Sequence, residues 1–187
     1  MRRLLDGDAI VLDALLTPDE CTTLIARSEA LGFGEAPINA PTGVVRRPEV
    51  RNNDRVIVDD DALANELWTK LRPRLPEPFL TLRLQGLCWD AVSLNERLRF
   101  YRYTEGQQFR WHRDGAFRRS PEEVSLFTVL IYLSEAEGGA TRFHTDAVTP
   151  TPGRVLIFWH PTLHQGDPVL GGHKYVLRTD IMFRRDA

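Results

Sequence analysis

Two hydrophobic patterns divide the chain. In the first part, apolar positions fall into one short run and two helical stripes. Residues 8–16, Asp8-Ala-Ile-Val-Leu-Asp-Ala-Leu-Leu16, read as a short apolar strand and its exit. Thr17-Pro18-Asp19-Glu20 then opens a helix. Thr17 can cap it, Pro18 suits the first helical position, and the acids favour the positive end of the helix dipole. Leu24, Ile25 and Leu31, with the small Ala26 and Ala30, recur near helical spacing up to Gly32. Residues 34–54 are rich in Gly, Pro and Asn and predict a long loop, which runs into strand character at Arg55-Val56-Ile57-Val58. Asp59-Asp60-Asp61 heads a second helix through Trp68, with Lys70 and Arg72 near its end, and Pro73, Pro76 and Pro78 close it.

From about residue 80 the period changes. Short runs rich in β-branched and aromatic residues, at 97–103, 124–133, 140–144, 154–160 and 173–183, are separated by Gly, Pro and Asp turns. Regular short strands of this kind predict a sandwich, barrel or jelly roll. The expected class is therefore α+β, mainly β, with two N-terminal helices laid on a β-core. Its 187 residues suit a single domain, read as a helical support over 1–78 and a β-core over 79–187.

Composition narrows the class without naming it. Charged residues make up 27% and the hydrophobic set 42%, as in an ordinary globular protein. The net charge of −2 and the lack of a long basic run speak against nucleic acid as a partner. Cys21 and Cys88 form neither a disulfide framework nor a zinc signature. Met1-Arg2-Arg3-Leu4-Leu5 resembles the start of a signal peptide, but Asp6, Asp8 and Asp13 break the apolar region that should follow. No apolar run is long enough to span a bilayer. The expected compartment is the cytoplasm, with no membrane partner.

Candidate chemistry concentrates in Phe109-Arg110-Trp111-His112-Arg113-Asp114-Gly115. On a strand, positions two apart point to one side, so the His112 imidazole and Asp114 carboxylate can converge on one ion. A third imidazole would complete the two-histidine, one-carboxylate face that leaves three positions open on iron(II). Two of these suit a bidentate 2-oxo acid and the third dioxygen. The chain has five histidines, His112, His144, His160, His164 and His173, and HxD alone is weak evidence. Further on, the apolar run Val155-Leu-Ile-Phe-Trp159 leads to His160-Pro-Thr-Leu-His164, and Lys174 lies ten residues beyond His164. A dicarboxylate such as 2-oxoglutarate needs a buried cation for its distal carboxylate. Lys174 or Arg178 would serve, since they share parity on one strand.

At these residues the chain resembles the prolyl 4-hydroxylase-like branch of the iron(II)/2-oxoglutarate-dependent oxygenase superfamily. Tyr103-Thr-Glu-Gly106-Gln-Gln-Phe109-Arg-Trp-His112-Arg-Asp114 is similar to Y-x-x-G-x-x-[FY]-x-x-H-x-D. Gly138-Gly139-Ala-Thr141-Arg-Phe143 is similar to G-G-x-T-x-F. His164-Gln-Gly166-Asp-Pro168-Val169 through Lys174 follows H-x-G-x-P-V-x-x-G-x-K, with glycine at both Gly171 and Gly172. The motifs span roughly residues 80–185.

The resemblance implies a double-stranded β-helix, a jelly roll whose mouth holds Fe(II) on His112, Asp114 and His164. It implies 2-oxoglutarate as co-substrate with dioxygen, and ascorbate as a reductant. It implies that Lys174 and Tyr132 hold the 5-carboxylate and that Tyr103 lies near the co-substrate. It implies hydroxylation of an unactivated C–H, on a prolyl residue of a peptide or protein, or alternatively on a free amino acid or other small metabolite. Asp114 speaks against the halogenase variant, which lacks this carboxylate. Arg178 stands where relatives often carry a small hydroxyl residue; it is a candidate for the co-substrate's 1-carboxylate or an acidic substrate group, or pairs with Asp180. Arg178 and Arg184 echo the paired arginines of nucleic-acid demethylases, but the asparagine expected between them is Asp180. A non-catalytic cupin-like metal-binding protein is the reading from another class, and Lys174 argues against it. In relatives, the region of Arg51, Asn53 and Arg55 folds over the site, which makes these residues substrate-binding candidates; Asn95, Arg97 and Arg99 are a weaker set. Thr141 and Arg110 are candidates to orient the ligands, and Phe143 and Trp159 are expected in the core.

Overall fold

The computed structural model describes residues 1–40 and 43–185. Its frame is an eleven-stranded sheet. Along its main path the strands run Arg2–Leu4, Ala9–Leu12, Val155–Trp159, Glu123–Tyr132, Lys174–Arg185, Arg97–Tyr103, Asp54–Asp59 and Gly34–Glu35. The hairpin Thr81–Leu84/Leu87–Leu94 joins through Lys174–Arg185. Gln85 and Gly86 turn it with positive φ values of 53° and 79°, which suits a tight two-residue connection. A four-stranded sheet of Phe109–His112, His164–Gly166, Thr141–Arg142 and Ala147–Val148 forms the opposite wall. This is the jelly roll that the strand pattern predicts.

The large sheet is buried on both faces, which explains why Val155–Trp159 and much of Glu123–Tyr132 read as continuous apolar runs rather than alternations. One face carries Ile10, Leu12, Val129, Ile131, Ile157, Leu177 and Ile181 and is covered by both helices. The other carries Tyr101, Tyr103, Leu130, Tyr132, Leu156, Phe158 and Val176, with Phe143 and Val148 packed against it from the small sheet.

Helix α1 covers Pro18–Leu31 and α2 covers Asp61–Leu71. Thr17 caps α1 in a full capping box: its side chain accepts from the Glu20 N–H, and the Glu20 carboxylate accepts from the Thr17 N–H at 2.8 Å. Asp60 caps α2 through the Leu63 N–H at 2.9 Å. Cys21, Leu24, Ala64, Leu67 and Leu71 are the buried stripes that hold the helices to the sheet. Completely buried leucines such as Leu67 and Leu71 contribute about 1.5–3 kcal/mol each from removal of apolar surface from water. No described helix is long and apolar enough to cross a membrane.

Two sequence expectations change. The segment 34–54 is not all loop: Gly34–Glu35 pairs with Asp54–Asp59, and Ile38–Ala40 with Gly43–Val45. Residues 41–42 of that segment lie outside the described residues. The run at 140–144 keeps only Thr141–Arg142 as strand. The support over 1–78 also supplies strands, at the apolar run in 8–16 and the strand character at 55–58. Ala9–Leu12 and Asp54–Asp59 are members of the large sheet, because their apolar positions complete its faces. A boundary near residue 79 therefore follows the sequence pattern and not the packing.

Candidate active site

His112 and His164 end and begin two paired strands and stand directly opposite each other in register. Asp114 follows just past the strand end, its N–H held by the His160 carbonyl at 3.0 Å. One ligating atom from each of His112, Asp114 and His164 lies within 4.8 Å of the others. Both imidazoles are oriented the same way: His112 Nδ1 meets the Arg110 carbonyl at 2.8 Å, and His164 Nδ1 meets that of Thr162 at 2.9 Å. A carbonyl can only accept, so each Nδ1 carries the proton and each Nε2 turns its lone pair inward. The Nε2 atoms lie 3.9 and 3.8 Å from the Asp114 carboxylate oxygens. Burial, reinforced by the neighbouring imidazole, lowers the His112 pKa to about 3 and keeps the ring neutral, as a ligand must be. Burial lowers His164 as well. Burial alone would raise Asp114, but Arg178, the two histidines and Thr128 outweigh it and hold the carboxyl well below its usual range.

A hydrogen-bond chain orients Asp114. The Ser125 hydroxyl accepts from the Phe117 N–H and donates to His160 Nε2. His160 Nδ1–H then donates to Thr128 Oγ1 at 2.8 Å, and the Thr128 hydroxyl donates to Asp114 Oδ2 at 2.6 Å. Each member has one proton and one acceptor to use, so this direction satisfies them all. Arg178, 13% exposed, grips the other carboxylate oxygen at 3.3 Å and Asp180 at 3.1 Å.

From these three residues a cavity runs inward between the sheets, lined also by Tyr101, Tyr103, Leu130, Thr141, Lys174 and Val176. Lys174, 3% exposed, has no carboxylate partner among the described residues. Burial pushes its pKa down to about 8, with Asp167 opposing. The ammonium lies 4.8 Å from the centre of the Tyr103 ring. Gly139, at φ +63°, makes room for it: a Cβ there would stand 3.1 Å from Lys174 Cδ.

A narrow cavity with three inward-facing ligand atoms at one end and an unpaired buried ammonium in its wall fits a divalent ion chelated by a linear dicarboxylate. The chain also fits this on comparison. Residues 98–179 match the family model described as the 2OG-Fe(II) oxygenase superfamily. These residues form a 2OG-Fe(II) oxygenase domain. Such an oxygenase takes Fe(II), 2-oxoglutarate and O2, and couples decarboxylation of the oxo acid to oxidation of its substrate. The oxygenase is 26% identical over 181 residues to a PKHD-type hydroxylase of Alteromonas mediterranea, covering 88% of this chain and 74% of that protein. Its fold is similar to a viral collagen prolyl hydroxylase from Paramecium bursaria Chlorella virus-1, solved with 2-oxoglutarate, with TM-score 0.65, 21% identity and coverage of 97% and 99% of the two chains. It is also similar to a Trichoplax adhaerens prolyl hydroxylase in complex with a hypoxia inducible factor peptide fragment, with TM-score 0.66, 16% identity and coverage of 93% and 83%.

The remaining expected residues take distinct places. Tyr132 is completely buried and does not line the cavity; its hydroxyl donates to Thr141 Oγ1 at 2.7 Å, and Thr141 is the wall residue. Arg178 lines the cavity with Lys174, as strand parity requires, but its charge is engaged by Asp114 and Asp180. A wider groove adjoins the cavity mouth at His112 and Asp114, and Asn53 does not line it: Asn53 is 1% exposed and accepts from Arg51 Nε at 2.7 Å. Arg51 and Arg55 do line that groove. Arg110 acts through its backbone carbonyl, not its side chain. Thr128 and Ser125, and the role of His160, are not legible in the sequence because their contacts with Asp114 and each other span 14 to 35 residues. The nearest signal is parity, since Thr128 lies four residues before Tyr132 on one strand.

Proposed function

We propose that this oxygenase hydroxylates an unactivated C–H of a prolyl residue in a peptide or protein, with His112, Asp114 and His164 holding iron and Lys174 holding the 5-carboxylate of 2-oxoglutarate. The observation that carries the reading is Lys174, an ammonium buried in the wall of the cavity shared with the three ligand residues and free of any carboxylate among the described residues. A buried charge is stable only with a hydrogen-bonded counter-ion, and a bare metal site would not require one there. The prolyl substrate is supported by the relatives named above. In this reading the whole chain is one working unit, since strands from its first sixty residues complete the sheet behind the site.

The chain's own residues have definite tasks. The carbonyls of Arg110 and Thr162 fix both imidazole tautomers, Thr128 and Arg178 hold the carboxylate from two sides, and Tyr103, Leu130 and Val176 keep water from the co-substrate. The test is succinate formation from 2-oxoglutarate with Fe(II), in air and under nitrogen, for wild type and His112→Ala. Oxygen-dependent succinate in the wild type alone is expected, and prolyl peptides should raise it while gaining one oxygen in mass. A wild type that binds neither 2-oxoglutarate nor a divalent metal would end the enzyme reading.

A further inference from the structure

The cavity opens beside a wider groove of about 550 Å3 whose charge is one-sided. Arg51, Arg55, Arg99, Arg113 and Arg178 line it, and Asp114 is the acid on its wall. Arg178 is paired with Asp114 and Asp180, Arg99 with Asp180, and Arg113 donates to the Pro161 carbonyl. Arg51 and Arg55 have no carboxylate partner among the described residues.

Arg51 is a built feature rather than a surface side chain. It is 6% exposed, and its guanidinium lies 4.5 Å from the ring centres of both Tyr101 and Phe109. Its Nε donates to Asn53, which is itself tied to the Asp54 carbonyl, while its Nη2 is buried with no hydrogen-bond partner. Phe109 in turn stacks on His112, with ring centres 3.5 Å apart, so the arginine and the metal face share one aromatic ring. The local potential registers on neighbouring groups. Burial should raise the Tyr101 hydroxyl, yet Arg178, Arg51 and Arg99 together carry it below its ordinary value. Burial, and then Arg51, Arg99 and Arg97, depress Arg55. A buried guanidinium donor without an acceptor is unfavourable unless an anion completes it, and a planar donor fork held between two rings matches a carboxylate edge-on.

Resting on the hydroxylase reading, we propose that the substrate is an acid, whose carboxylate docks on Arg51 with Arg55 beside it. The carboxylate has two sources with the same chemistry: the α-carboxylate of a free amino acid, or an aspartyl or glutamyl side chain near the target residue of a peptide.

The experiment uses the whole protein loaded anaerobically with Mn(II) and saturating 2-oxoglutarate, with binding followed by calorimetry. One arm compares L-proline with L-prolinamide. The other compares prolyl peptides carrying Asp or Glu on either side of the proline with their Asn and Gln counterparts. The acid member of one pair should bind about tenfold or more tightly, with a preference that weakens as salt rises, and the arm in which this occurs identifies the source. Arg51→Gln and the half-buried Arg55→Gln should each reduce that preference; the second variant keeps the test open if the first does not fold. Equal binding of acids and amides, no binding in either arm, or a preference unchanged in Arg55→Gln overturns the proposal. Failure of 2-oxoglutarate itself to bind, read in the loading step, overturns the hydroxylase reading and this one with it.

Discussion

At Asp114 an uncharged hydroxyl and a charged guanidinium divide the two carboxylate oxygens, and they do different work. Thr128 sets direction through a 2.6 Å bond, and Arg178 sets charge. Thr128→Val keeps the shape but leaves His160 Nδ1–H and Asp114 Oδ2 without their shared partner. It is expected to weaken divalent metal binding by about 10- to 100-fold, measured by competition with a chelator, while Thr128→Ser should restore most of it. An unchanged affinity in the valine variant would remove Thr128 from the site. Lys174 gives a pH prediction. Its free-state pKa of about 8 means that below that pH the ammonium is ready for a carboxylate, and above it a proton must first be taken up. The Kd for 2-oxoglutarate on the Mn(II)-loaded protein should therefore rise by up to about tenfold per pH unit above pH 8. Lys174→Arg should be flat over the same range, because arginine stays charged. The same shift acts on stability with the opposite sense of benefit. Between about 8 and the ordinary lysine value of 10.5, the unfolded chain holds a proton that the folded chain has released, so the ligand-free protein gains stability as pH rises. At this scale the sequence made the triad legible because His112 and Asp114 are local and strand parity is simple. The surroundings of Tyr132 and Asn53 are not legible for the converse reason: each side chain meets a partner, Thr141 or Arg51, whose nearness depends on the folded geometry.

The helices carry their instructions locally. Thr17 with Glu20, and Asp60 with Leu63, cap as their residue types require, and the apolar stripes face the sheet. Here the pattern in the chain sufficed, since a cap needs only three neighbours. Strands are legible where apolar residues run together or are interleaved with polar ones, as at Val155–Trp159 and Arg97–Tyr103, and illegible where pairing is short and irregular, as at Gly34–Glu35. Two leucines separate packing from propensity. Leu67 on α2 is completely buried, whereas Leu31 at the end of α1 is 48% exposed. Leu67→Ala should cost about 2–5 kcal/mol in urea unfolding, and Leu31→Ala should remain within about 0.5 kcal/mol. Equal losses would mean that the helices do not depend on the sheet for their stability.

Across the whole molecule, the two sheets serve different ends. The large one is a rigid wall buried on both faces, and it presents Tyr103, Lys174 and Arg178 at fixed register: Lys174 stands opposite Tyr103, and Arg178 between Arg99 and Leu130. The small one brings His112 and His164 face to face. The class, the two helices and the β-core follow from hydrophobic period alone. The arginine-lined groove does not, because its members come from the segments around residues 51, 99, 113 and 178, and only folding gathers them. Overall composition concealed it too, since a net charge of −2 says nothing about where five cations meet.

The main path of the large sheet ends on one side in the three residues Arg2–Leu4 and on the other in the two residues Gly34–Glu35. A bare strand edge is a template on which another chain can add its own backbone, and its reach grows with its length. The wholly apolar strand Val155–Trp159 would be such a template, but Ala9–Leu12 lies along it and Arg2–Leu4 lies along that, carrying two exposed arginines. Residues 2–12 thus keep this apolar strand from meeting its like in a neighbouring copy, a protection against aggregation that belongs to no part of the catalytic apparatus.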